Sequence, residues 1–198
     1  EVQQTGDGGY VVVGYSASGV GGNKPVAGYG LNDCWIVKID AQGNKQWERV
    51  YGGSGEDYGM SIRQTSDGGY IFVAQSSSGI SGNKSSAGLG ASDFWLVKLD
   101  SNGDKLWEKV FSGTSDDVPG VVRQTSDGGY ILAGQSYSGI SGNKTSANFG
   151  SADIWIIKVD ASGNKQWEQT FGGSGVDLIA YADTLKQTSD GGFILAGI

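Results

Sequence analysis

The chain has 198 residues, among them 36 Gly, 2 Pro, 6 Trp, 9 Tyr, one Cys and no His, with a formal net charge of −7. That much glycine excludes a mainly helical protein, since each Gly in a helix interior costs about 1 kcal/mol. The acidity excludes a nucleic-acid partner and disfavours anionic membranes, no apolar run approaches the ~20 residues of a membrane-spanning helix, and a single cysteine leaves no internal disulfide framework.

In chain order, the first element is the phrase QTGDGGYVVVG at residue 4, which returns as QTSDGGYIFVA at 64, QTSDGGYILAG at 124 and QTSDGGFILAG at 187. Between these marks, four strand-like runs recur. The first is 9–16, with 69–76 and 129–136; the second is 33–40, with 93–100 and 153–160. The third is 44–51, with 104–111 and 164–171; the fourth is 57–64, with 117–124 and the longer 177–187. In DFWLVKLD, Phe94, Leu96 and Lys98 fall on one face and Trp95, Val97 and Leu99 on the other. Period two with both faces largely apolar predicts a strand inside a stack of sheets. DAQGN, DSNGD and DASGN read as turns between the second and third strands, and TSDGG as an Asp-Gly hairpin.

The expected fold is all-β: a β-propeller-like array of four-stranded antiparallel blades, with three full repeats (4–63, 64–123, 124–186) and the start of a fourth (187–198). A parallel β-solenoid is the alternative, although solenoid coils usually have shorter periods. Lone blades cannot bury two apolar faces, so neighbours must stack. The Trp pairs 35/47, 95/107 and 155/167 are the expected packing residues.

The pattern DGGYI-x-x-G … D-x-W-x-V-K-x-D-x-x-G-x-x-x-W-x-x-x-x-G-G resembles the propeller repeats of secreted and cell-surface bacterial proteins, often from Bacteroidota. That resemblance implies an exported binding or structural module. KxDxxGxxxW also resembles the Trp-bearing repeat of quinone-dependent dehydrogenase propellers, but no quinone or metal site accompanies it, and no cofactor is expected. Because residues 187–198 duplicate the start of the first repeat, the reading expects a window cut from a longer array. The alternative is chains that complete one another by strand addition at exposed edges.

The longest non-strand segments are the glycine-rich loops at 16–33, 76–93 and 136–153. They read as blade loops or as a ligand surface. On the second reading Asn23, Lys24, Asn83, Lys84, Asn143 and Lys144 hydrogen-bond sugar hydroxyls, and Tyr29 and Phe149 stack. GISGNKSS lacks the Gly-Lys step of a phosphate loop, because Asn83 intervenes. Asn83 and Asn143 begin formal N-glycosylation sequons, and Thr184 follows Asp183 in a short O-glycosylation-like motif. DSNGD (100–104) reads as a turn held by Asp and Asn and not as a calcium loop, which needs a bidentate Glu at its twelfth position. The absence of His excludes His-based triads. Cys34 occupies a packing position, and Glu48, Glu108 and Glu168 recur in every copy, which marks structure; no enzyme activity is expected. Departures from the repeat are Asp116-Asp117, Pro119 interrupting its strand, and the insertion that places Tyr181 and Asp183. The functional expectation is a secreted or cell-surface module that binds a polysaccharide or a surface protein. Its alternatives are a filament or surface-layer subunit, and a non-catalytic part of a polysaccharide-active enzyme.

Overall fold

The computed structural model describes residues 1–179 and 184–197. Among these the only regular elements are strands, in three four-stranded antiparallel sheets and one two-stranded sheet. The first sheet orders β1 (Val2–Gln4), β2 (Tyr10–Ser16), β3 (Asp33–Ile39) and β4 (Lys45–Tyr51). The second orders β5 (Asp57–Gln64), β6 (Tyr70–Ser76), β7 (Asp93–Leu99) and β8 (Lys105–Phe111). The third orders β9 (Asp117–Gln124), β10 (Tyr130–Ser136), β11 (Asp153–Val159) and β12 (Lys165–Phe171), and the last pairs β13 (Leu185–Gln187) with β14 (Phe193–Leu195). Each sheet begins with the strand that closes the preceding sequence unit, because the TSDGG hairpin joins strands of one sheet and the GGSGED-type segment crosses between sheets.

Pro119 does not interrupt β9. It pairs with Gly134 beside a bulge, on an edge strand where a missing N–H on the outer side breaks no ladder. The same bulge interrupts the register at Gly59/Ser61 in β5, so it belongs to the repeat and not to the proline.

The period-two pattern places each sheet between two cores. Val11, Val13, Cys34, Ile36 and Tyr51 of the first sheet pack against Tyr70, Phe72, Trp95, Val97 and Leu99 of the second. The opposite face of the second sheet, with Ile71, Val73, Phe94 and Leu96, packs against Val122, Leu132, Trp155 and Ile157 of the third. Every residue of β7 is buried. Trp95 and Trp155 are fully enclosed, whereas Trp167, on the outermost strand of the third sheet, is 40% exposed. The two tryptophans of a repeat thus have different partners: the first faces the preceding sheet, and the second meets the next, with Trp47 edge-on to Tyr70 at 5.4 Å.

The recurring QTSDGG phrase has a physical explanation. Asp67 accepts hydrogen bonds from Thr65 Oγ1 and Gly69 N, and Lys98, 3% exposed, reaches it with an ion pair at 2.9 Å. Gly68 has φ +81°, and a Cβ on Gly69 would lie 2.3 Å from Leu99 O, so both glycines are required. The Gln belongs to the next joint: Gln64, Gln124 and Gln187 each accept, through Oε1, the N–H of residue 6, 66 or 126 in the preceding hairpin.

Candidate functional site: the glycine-rich loop face

Each glycine-rich loop leaves the second strand of its sheet and returns at the buried Asp that opens the third. In the second copy this is Asp93, whose carboxylate accepts the N–H groups of Leu89 and Gly90. Lys84 fills the interior of the loop. It is 1% exposed, its Nζ donates to Ser78 O and Ser86 O at 2.8 Å each, and it sits 5.8 Å over the Trp95 ring. Lys144 repeats the arrangement, donating to Ser146 O and Thr170 Oγ1 over Trp155, and Lys24 donates to Ser18 O and Val26 O. Burial pushes the ammonium pKa of Lys84 and Lys144 down.

These lysines correct the expectation that they meet a ligand: they are internal props. Asn83 and Asn143 are corrected likewise. Asn83 Oδ1 accepts Gly52 N and its Nδ2 donates to Val50 O; Asn143 does the same to Ser112 and Val110. Each asparagine staples its loop to the end of the preceding sheet. A sugar on Nδ2 of either would have to displace that staple, so the sequons do not read as glycosylation sites. Asn23 is exposed. Thr184 Oγ1 is buried, which excludes a glycan there. Tyr181 and Asp183 lie outside the described residues.

Glu108 seals the loop from the fourth strand, its Oε1 accepting Ser85 N, Ser86 N and Ser86 Oγ and its Oε2 pairing with Lys105. Burial raises the Glu108 pKa, but these bonds outweigh it and hold the carboxyl below its ordinary value. Glu168 does the same through Thr145 N and Ser146 N. In the first copy Pro25 stands where Ser85 and Thr145 stand. It has no N–H, and Glu48 Oε1 is buried without a partner. The turn aspartates serve backbone: Asp100 Oδ1 accepts Asn102 N and Asp104 N. Of the pair Asp116-Asp117 only Asp116 departs from the repeat, since Asp57 and Asp177 match Asp117, which is fully buried and accepts Ser112 Oγ, Gly113 N and Ser138 Oγ. Cys34 is enclosed in the first core, and burial pushes its thiol pKa well up, so it is no nucleophile.

The loops also present apolar side chains outward. Val20, Ile80 and Ile140, one per repeat at the same loop position, are 67–69% exposed. Tyr29, Leu89 and Phe149 form a second exposed set, again one per repeat. Of the predicted ligand residues among the described ones, Asn23, Tyr29 and Phe149 are exposed, and Tyr29 OH meets Asn83 Nδ2 of the next loop at 3.4 Å. Sequence reasoning missed Val20, Ile80 and Ile140. The signal was there: an aliphatic residue kept at one position of three loops, between Gly19 and Gly21 in the first and between Gly and Ser in the other two.

No family model and no curated protein matches the chain. Among solved structures, a protein of unknown function from Bacteroides caccae is similar over 84% of this chain, at 8% identity and a TM-score of 0.44. The chain spans 56% of that protein's length.

Proposed function

We propose that the chain is an extracellular, propeller-like repeat module whose sheets act as blades and whose glycine-rich loop face binds a partner at a bacterial surface. The observation that carries this reading is the recurrence of an exposed aliphatic residue, Val20, Ile80 and Ile140, on loops whose lysines and two of whose asparagines are engaged internally. Such a set, rimmed by polar backbone, fits an apolar strip on another protein. A polysaccharide is the second reading, favoured by the exposed rings of Tyr29 and Phe149, which suit the apolar faces of sugars.

The test is binding of the labelled chain to bacterial cells before and after protease or glycosidase treatment, with the double variant Ile80→Ser/Ile140→Ser alongside. These side chains are exposed, so the variant keeps the fold. Loss of binding on protease treatment and in the variant supports a protein partner. Loss only on glycosidase treatment moves the reading to polysaccharide. Undiminished binding by the variant removes the loop face from the proposal.

A further inference from the structure

One place where the repeat departs from itself gathers four residues. Tyr15 stands where the other copies have Gln75 and Gln135, and Asn32 where they have Ser92 and Ala152. Glu56 stands where they have Asp116 and Val176, and Tyr58 where they have Val118 and Leu178. In the chain these four are scattered over the end of β2, the end of the first glycine-rich loop, the segment that crosses to the second sheet, and the start of β5. The fold brings them together. Asn32 Nδ2 donates to Glu56 Oε2 at 2.8 Å, and the Tyr58 hydroxyl donates to the same oxygen. The Tyr15 and Tyr58 rings pack edge to face, with centroids 4.7 Å apart and planes at 84°.

The same positions carry other chemistry in the other copies. In the second, Gln75 Nε2 donates to Ser92 Oγ, which donates to Asp116 Oδ1, so the polar groups close on one another. In the third, Ala152, Val176 and Leu178 are apolar. Three different sets serve one place in the fold, so building a sheet does not account for the first set. That set also differs in what it leaves outside. Tyr15 is 58% exposed, whereas Gln75 is half-buried and Gln135 buried. Tyr58 fixes the Tyr15 ring from its edge, which makes the exposed ring a platform. Both donors to Glu56 go to one oxygen, and a carboxylate accepts through two; Asn32 has a second N–H to give. The bonds from Tyr58 and Asn32 hold the Glu56 carboxyl below its ordinary value, so it is ionised at neutral pH.

We propose that Tyr15, Tyr58, Asn32 and Glu56 form a binding site for a neutral sugar unit. The apolar face of the sugar ring stacks on Tyr15, and two adjacent hydroxyls meet the polar pair, one donating to Glu56 and the other accepting from Asn32. A sugar is apolar on its ring faces and hydroxylated at its edge, which matches an exposed aromatic ring with a fixed acceptor and a fixed donor beside it. The ionised Glu56 and the net charge of −7 disfavour acidic sugars. The site uses none of Val20, Ile80 and Ile140, so it stands or falls separately from the loop contact proposed above.

The test applies the labelled chain to an array of neutral oligosaccharides and titrates the best-bound one by calorimetry. Binding should weaken about tenfold in Tyr15→Ala, from loss of stacking, and about tenfold or more in Glu56→Gln, from loss of a charge-assisted hydrogen bond. Tyr15→Phe, which keeps the ring, and Ile80→Ser/Ile140→Ser should bind as the parent does. Tyr15 is exposed, so Tyr15→Ala should leave the far-ultraviolet spectrum unchanged. A chain that binds no neutral oligosaccharide, or whose Tyr15→Ala and Glu56→Gln variants bind undiminished, would overturn the proposal. Sugar binding lost only in Ile80→Ser/Ile140→Ser would overturn it too, by moving the sugar to the loops. So would binding of tetramethylammonium in place of any sugar, since the rings and carboxylate would then serve a cation.

Discussion

The first and second sheets are written in nearly the same letters, and they share both their internal contacts and their joint to the next sheet. Lys38 meets Asp7 at 2.8 Å as Lys98 meets Asp67 at 2.9 Å, each lysine buried beneath its own hairpin. They differ on the face that the second sheet turns to the first: Trp95 is fully buried there, whereas Trp35 is only half-buried. Asn83 staples two backbone groups of the preceding sheet; Asn23 is exposed. The comparison separates two classes of repeated residue: those that build a blade, and those that join blades and act only with a neighbour.

The largest test of that division is tryptophan truncation. Trp95→Ala should destabilise by about 3–5 kcal/mol, the usual cost of emptying a buried aromatic site, and Trp35→Ala by well under half as much. Chemical denaturation of the two variants measures both, and equal losses would erase the distinction. The asparagine pair sharpens it. Asn83→Ala strands Gly52 N and Val50 O and should cost about 1–3 kcal/mol, while Asn23→Ala should fall within about 0.5 kcal/mol of the parent.

Glutamate tests a sequence departure. Glu108→Gln weakens charge-assisted bonds from two backbone N–H groups and Lys105, and should cost about 1 kcal/mol or somewhat more. Glu48→Gln should cost less, because Pro25 has already removed one donor and Glu48 Oε1 is unpartnered. A larger loss at Glu48 would show that Pro25 does not explain the orphaned oxygen.

The smallest effect is in pH. Burial raises Asp67, but hydrogen bonds from Thr65, Lys98 and Gly69 outweigh it and bring the pKa down to about 2. An unfolded Asp titrates near 3.9 in round terms. The folded state therefore binds fewer protons, and its stabilisation is complete above about pH 4 and lost as pH falls toward 2. Asp7 and Asp127, also held low, act in the same direction. Asp33 opposes them: burial raises its pKa, so acid relieves a buried charge. Asp67 is 58% exposed and solvent screens its ion pair, so the slope is shallow. Urea midpoints between pH 6 and pH 2 should fall less steeply for Asp67→Asn/Asp127→Asn than for the parent; parallel curves would remove the hairpin aspartates from the acid response.

Strand positions, the TSDGG hairpin and the alternation of Phe94 and Trp95 between faces were legible in the sequence, because period two and positive-φ turns are properties of a few adjacent residues. The site was only partly legible. Lys84 and Asn83 look like polar loop residues ready for a ligand. Their true partners, Ser78 O and Val50 O, are backbone atoms 6 and 33 residues away, brought near by the fold. Backbone carbonyls have no signature in a sequence, so whether a polar side chain faces solvent or closes a loop cannot be read from its letter.

By itself, then, the sequence determined an all-β repeat: its turns, its strand faces, and the tryptophans that need a neighbouring sheet. Tertiary structure alone decided the rest. It turned three lysines and two asparagines inward and left Val20, Ile80 and Ile140 outside. The physical reason is that burial is a property of what stands across an interface, and a residue's letter does not name what the fold brings against it.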